Sequence, residues 1–118
     1  MLQRICLASA FIIGVFLVWA ASQPAVGKIA SPHWHYAAHF AVFALLAAMS
    51  ALGMPRVPLL ALTASIVLFG FLHELYEIVG HAHGFELRDA VVDGIGAVAG
   101  AHAARWLRRR LLFGRNHT

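Results

Sequence analysis

Val57 to Val79 reads VPLLALTASIVLFGFLHELYEIV. Its first sixteen residues, Val57 to Leu72, carry no charge. The hydrocarbon core of a bilayer takes roughly 20 apolar residues in helical form. Continuous apolar character, with no alternation of polar and apolar residues, predicts a helix over about 57–79 rather than a barrel strand. The stretch then turns polar within one helical turn, at His73-Glu74-x-x-Glu77. The same segment therefore predicts a membrane span and a polar site at one end of it.

Working outward, three more segments fit spans: about 5–22, 35–53 and 88–107. Pro24, Gly27, Lys28 and Pro32 mark the first connection, Gly53, Pro55, Arg56 and Pro58 the second, and Gly80 to Leu87 the third. The expected fold is all-α: one domain, an integral membrane bundle of four transmembrane helices with a basic tail over 108–118. The whole chain supports this, being 118 residues long, 61% hydrophobic and 12% charged. A soluble domain of that size would leave much of this apolar surface in water. Ala20-Ala21-Ser22 resembles a signal-peptide cleavage region, but the apolar stretch before it exceeds a usual signal core and three more spans follow. The first helix is expected to be retained.

The net charge of +4 sits mostly at one end, in a short segment after a span. That pattern speaks for membrane orientation rather than for nucleic acid. With four spans, one side holds Arg4, Arg56, Arg105, Arg108, Arg109, Arg110 and Arg115, and the other only Lys28 and Arg88. Both termini are expected in the cytoplasm of a bacterial cell, with the first and third connections facing outward. Trp19 and Trp34 near the outer ends and Trp106 near the inner end suit an interfacial belt. A lone cysteine, Cys6, excludes an internal disulfide and a cysteine-based zinc site. No Gly-rich phosphate loop and no Ser-His-Asp arrangement stands out.

Ionisable residues inside spans are costly and tend to face protein or a cavity. Here they fall at the outer ends of three helices: His35 and His39 at the start of the second, His73, Glu74 and Glu77 late in the third, Asp89 and Asp93 at the start of the fourth. At about 100° per residue, His35 and His39 share a stripe, as do Gly70, Glu74, Glu77 and His81, and as do Asp89, Asp93, Gly96 and Gly100. Small residues let membrane helices approach closely, so Gly96 and Gly100 are expected to pack on another helix and turn both aspartates inward. The candidate ligand-binding residues are His39, Glu74, Glu77, Arg88, Asp89 and Asp93. His73-Glu74-x-x-Glu77 also approaches the zinc motif H-E-x-x-H, with His73 and Glu77 as the i, i+4 ligand pair, Glu74 as a base, and His39, Asp93 or His81 as further ligands. Each residue has a plainer role open to it: Asp89 at a helix N-terminus, Glu77, Asp93 and His39 in interhelical hydrogen bonds, His33, Glu86 and His83 in solvated loops.

Several of these segments resemble the VanZ-like family of small membrane proteins, over about Ser22 to Gly100. The matching elements are Ser22-Gln23-Pro24, His39-Phe40 with Phe43 and Leu46, Glu74 with Glu77, and Asp89-x-x-x-Asp93-x-x-Gly96-x-x-x-Gly100. His35-Tyr36 stands where the family has Asp-Lys, Glu77 where it has Gln, and the loop arginine is offered only by Arg88. The family takes its name from an accessory protein of glycopeptide-antibiotic resistance. The resemblance implies a four-helix bundle at the cell envelope and marks Glu74, Asp89, Asp93 and His39 as site candidates. It supplies no reaction.

The leading expectation is an inner-membrane protein whose outward polar pocket binds an envelope component, glycan or lipid-linked. Glu74, Glu77, Asp89 and Asp93 would accept hydrogen bonds, and His39 and Arg88 would meet phosphate or carboxylate. Two alternatives stand beside it. One is an intramembrane hydrolase or transferase using paired carboxylates or a metal such as zinc. The other is a structural partner protein whose polar residues only lock the helices. No feature of the chain specifies an oligomeric state.

Overall fold

The computed structural model describes residues 1–23, 32–81 and 86–114. Four helices account for almost all of them: α1 (Leu2–Ala21), α2 (Pro32–Gly53), α3 (Leu59–His81) and α4 (Leu87–Phe113). No strand occurs among the described residues. Pro24, Gly27 and Lys28 of the first connection, His83 and Gly84 of the third, and Arg115 lie outside them. So does the proline of Ser22-Gln23-Pro24.

Three helical segments are long and apolar enough to cross a membrane: Leu2–Ala21, His33–Gly53 and Leu59–Val79. The expected fourth span is a helix but does not qualify on composition. Arg88, Asp89, Asp93, His102 and Arg105 interrupt its apolar residues. α4 also runs six residues past the expected end at Leu107, so Arg108, Arg109 and Arg110 lie on helix rather than in a tail. Nothing between Leu107 and Gly114 breaks a helix, and cations suit the negative C-terminal end of the helix dipole. Arg110 lies over the Trp106 ring one turn back, 5.1 Å from its centroid.

α4 packs chiefly on α2, while α1 packs on α2 and α3. Small residues set these distances. A Cβ on Gly96 would stand 2.6 Å from the Phe40 carbonyl oxygen, and one on Gly100 would collide with the Ala44 carbonyl. The two helices thus touch backbone to backbone, which Ala47, Ala51, Ala97, Ala101 and Ala104, all buried, extend along the seam. Gly53 does the same for α1, since a Cβ there would meet the Leu7 side chain at 2.8 Å.

α2 and α4 run parallel and in constant register. Hydrogen bonds join His35 to Asp89, His39 to Asp93 and Arg105 to Ala51, each spanning 54 residues. The last of these ties the far end. Arg105 Nε donates to Ala51 O (3.1 Å), and Nη2 donates to Met54 O (2.9 Å) and Val57 O (2.7 Å). A helix leaves its last four carbonyls without intrahelical partners, and in lipid such groups must find one inside the protein. Arg105 supplies it for the end of α2 and for the turn into α3.

Candidate functional site

At the opposite end of the seam the first turns of α2, the last turns of α3 and the first turns of α4 meet. Asp89, in the opening turn of α4, is fully buried, and its Oδ2 accepts a hydrogen bond from His35 Nε2 at 2.8 Å. One turn deeper, Asp93 is also fully buried, and its Oδ1 accepts from His39 Nδ1 at 2.7 Å. The identical i, i+4 spacing of the two pairs lets parallel helices form both at once. Gly70 makes room for Asp93 on the α3 side: a Cβ there would stand 3.2 Å from the Asp93 Cβ.

α3 contributes His73, Glu74 and Glu77, all buried. His73 Nε2 donates to the Leu17 carbonyl of α1 at 3.2 Å, and lies 3.8 Å from Glu77 Oε1. α1 offers no acid or histidine to the cluster, yet its backbone fixes one of the site's histidines. Below the cluster Phe43 is fully buried, with its ring centroid 5.9 Å from that of His73 and 6.1 Å from that of Phe69. These rings close the polar end off from the apolar seam beneath.

The cluster's hydrogen bonding is incomplete. Glu74 has 1% relative exposure, and neither of its carboxylate oxygens has a partner among the described residues. The same holds for Glu77 Oε2, Asp89 Oδ1, Asp93 Oδ2 and His73 Nδ1. A buried polar atom without a hydrogen bond costs about 1–3 kcal/mol, and more when charged. Four acidic side chains share this space, and no arginine or lysine pairs with them among the described residues.

Five of the six candidate ligand-binding residues, His39, Glu74, Glu77, Asp89 and Asp93, come together here. Arg88 is exposed and stands apart. The pair His73 and Glu77 is adjacent, but the donor atoms group differently from the H-E-x-x-E pattern. His39, Glu74, Glu77 and Asp89 offer atoms within 4.8 Å of one another, as do His73, Glu74 and Asp93, and His35, His39 and Asp89. Sequence reasoning placed His35 on the right stripe but not among the site residues; its i, i+4 match to Asp89-x-x-x-Asp93 was the available signal. It read Arg105 only as a cytoplasmic charge. The signal there was phase, because Asp93, Ala97, Ala101 and Arg105 fall at steps of four on the buried stripe.

Comparison with protein-family models, with characterised proteins and with solved structures gives no match.

Proposed function

We propose that the chain is a four-span protein of the bacterial inner membrane whose outward-facing polar cluster binds an envelope component. The observation that carries this reading is Glu74: a buried acid with no partner for either oxygen among the described residues, surrounded by further acceptors in the same state. A lock between helices would have satisfied its atoms, as Arg105 does at the other end. Acceptors held ready in a buried cluster suit a ligand rich in donors, hydroxyl or amine, such as a glycan or a lipid-linked glycan. The resemblance to the VanZ-like family favours an envelope ligand and a link to glycopeptide resistance.

The faces of α4 support a fourth span. Its acids point into the bundle, and its outer surface shows Val91, Ile95, Val98 and Leu107, each about half exposed. At 1.5 Å per residue, 27 residues of helix are long enough for a hydrocarbon core of roughly 30 Å. The arginine count puts the cluster on the outer side. In a Cys6→Ala background, an impermeant thiol reagent should label Gly84→Cys in intact cells and not Leu112→Cys; the reverse would invert the orientation.

Ligand binding is tested by native mass spectrometry of the chain released from its own membrane. A lipid-linked glycan should accompany the parent protein and be lost from Glu74→Gln and Asp89→Asn variants that keep their thermal midpoints. The same lipids on parent and variants would count against the reading, and variants that fail to fold would favour the structural alternative.

A further inference from the structure

The two histidines deepest in the cluster share a feature that the binding of a glycan does not need. Each has one ring nitrogen committed to an acceptor, and each ring lies among the acids of the cluster. His39 Nδ1–H donates to Asp93, so Nε2 carries the lone pair in the neutral ring. His73 Nε2–H donates to the Leu17 carbonyl, so Nδ1 carries it, buried and unpartnered. A histidine held by a carboxylate or a backbone carbonyl on one nitrogen, with the other bare, is the usual arrangement behind a metal ligand.

We propose that His39, Glu74, Glu77 and Asp89 hold one divalent transition-metal ion, with Asp93 positioning the His39 ring. This rests on the reading of the cluster as a ligand site and names the first thing that it binds. The four side chains come from α2, α3 and α4, and each offers an atom within 4.8 Å of the others. Donors around a tetrahedral zinc at bond lengths of about 2.0–2.2 Å stand roughly 3.3–3.6 Å apart. Closing from the observed spacing asks for about an ångström of movement, which two long glutamates on rotatable stems supply. One imidazole and three carboxylates make a nitrogen–oxygen set suited to Zn2+ and, less tightly, to Mn2+.

Charge and hydrogen bonding favour the same set. Three carboxylates side by side in a membrane bundle repel one another, and a dication among them offsets most of that. Coordination would take one oxygen each from Glu74, Glu77 and Asp89, and so satisfy up to three of the six unpartnered atoms. His35, already bonded to Asp89 Oδ2, would then orient a ligand carboxylate, as Asp93 orients a ligand histidine. The competing group His73, Glu74 and Asp93 shares Glu74 with this one, so a single ion takes one set or the other. The first offers four side chains and keeps the Asp93–His39 bond intact.

The test uses the full chain, purified in mild detergent without a histidine tag, cleared with chelator and titrated with Zn2+ and separately with Co2+. About one equivalent should bind, and the Co2+ form should show the visible absorption of a four-coordinate nitrogen–oxygen site. Glu74→Gln and His39→Gln should abolish saturable binding. Asp93→Asn should weaken it about 10- to 100-fold with helical content and thermal midpoint unchanged. Glu86→Gln, on an exposed residue, should change nothing. His73→Gln should retain binding, whereas loss there with retention in Glu77→Gln would overturn the assigned ligands in favour of the other group. No saturable Zn2+ or Co2+ binding by the folded parent chain would overturn the metal altogether. Because glycan retention is read separately by mass spectrometry, a chain that keeps its lipid-linked ligand but binds no metal would sink this inference alone.

Discussion

The two ends of the α2–α4 seam are both polar, and they are built on opposite principles. At one end Arg105 gives three hydrogen bonds to the carbonyls of Ala51, Met54 and Val57. At the other, four acids and three histidines make two hydrogen bonds between α2 and α4 and leave six buried atoms without a partner among the described residues. Native structures satisfy most buried polar groups, so an exception asks for an explanation. The satisfied end holds the bundle together. The unsatisfied end retains acceptors for something else, at a cost in stability typical of functional sites.

The largest effect that would sharpen this contrast lies between the ends. Gly100→Leu must push α4 away from the Ala44 backbone, and overpacking of this kind costs about 3 kcal/mol or more where backbone has to move. Loss of the folded bundle, followed by circular dichroism in detergent, is the expected outcome; a chain that folds unchanged would mean the helices are not in backbone contact. Arg105→Ala comes next. Removing three hydrogen bonds from a charged donor should cost about 2–3 kcal/mol, read as a lower thermal midpoint. Arg105→Lys should recover only part of that, since an ammonium lacks the planar fork of the guanidinium. If Arg105→Ala melted like the parent, the satisfied end would not be the structural one. The smallest effect is the control, Gly14→Ala. Nothing lies within 4 Å of a Cβ at Gly14, so the better helix former should raise stability by about 0.5–1 kcal/mol.

Much of the seam was legible in the sequence, and the reason is periodicity. Apolar runs located α1, α2 and α3 to within a few residues, and helical phase put His39, Glu74, Glu77, Asp89 and Asp93 on inward faces. What periodicity does not carry is register between helices. That His35 meets Asp89 and His39 meets Asp93 depends on where Gly96 and Gly100 let α4 settle against Phe40 and Ala44, a packing fact with no one-dimensional signature. Arg105 was legible only in part for a related reason: its charge was visible, while the carbonyls that it caps come from a turn far away in sequence. The Leu17 carbonyl beside His73 could not be read at all, because a backbone acceptor has no residue type to announce it.

Glu74 is retained for binding and not for stability. Thermal unfolding of the chelator-treated chain tests this most directly, with Glu74→Gln beside the parent. A neutral side chain of the same shape removes repulsion from Glu77, Asp89 and Asp93 without breaking any described hydrogen bond. Glu74→Gln should show an unchanged or higher midpoint. A midpoint several degrees lower would show that the buried carboxylate supports the fold, and would contradict a role in binding alone.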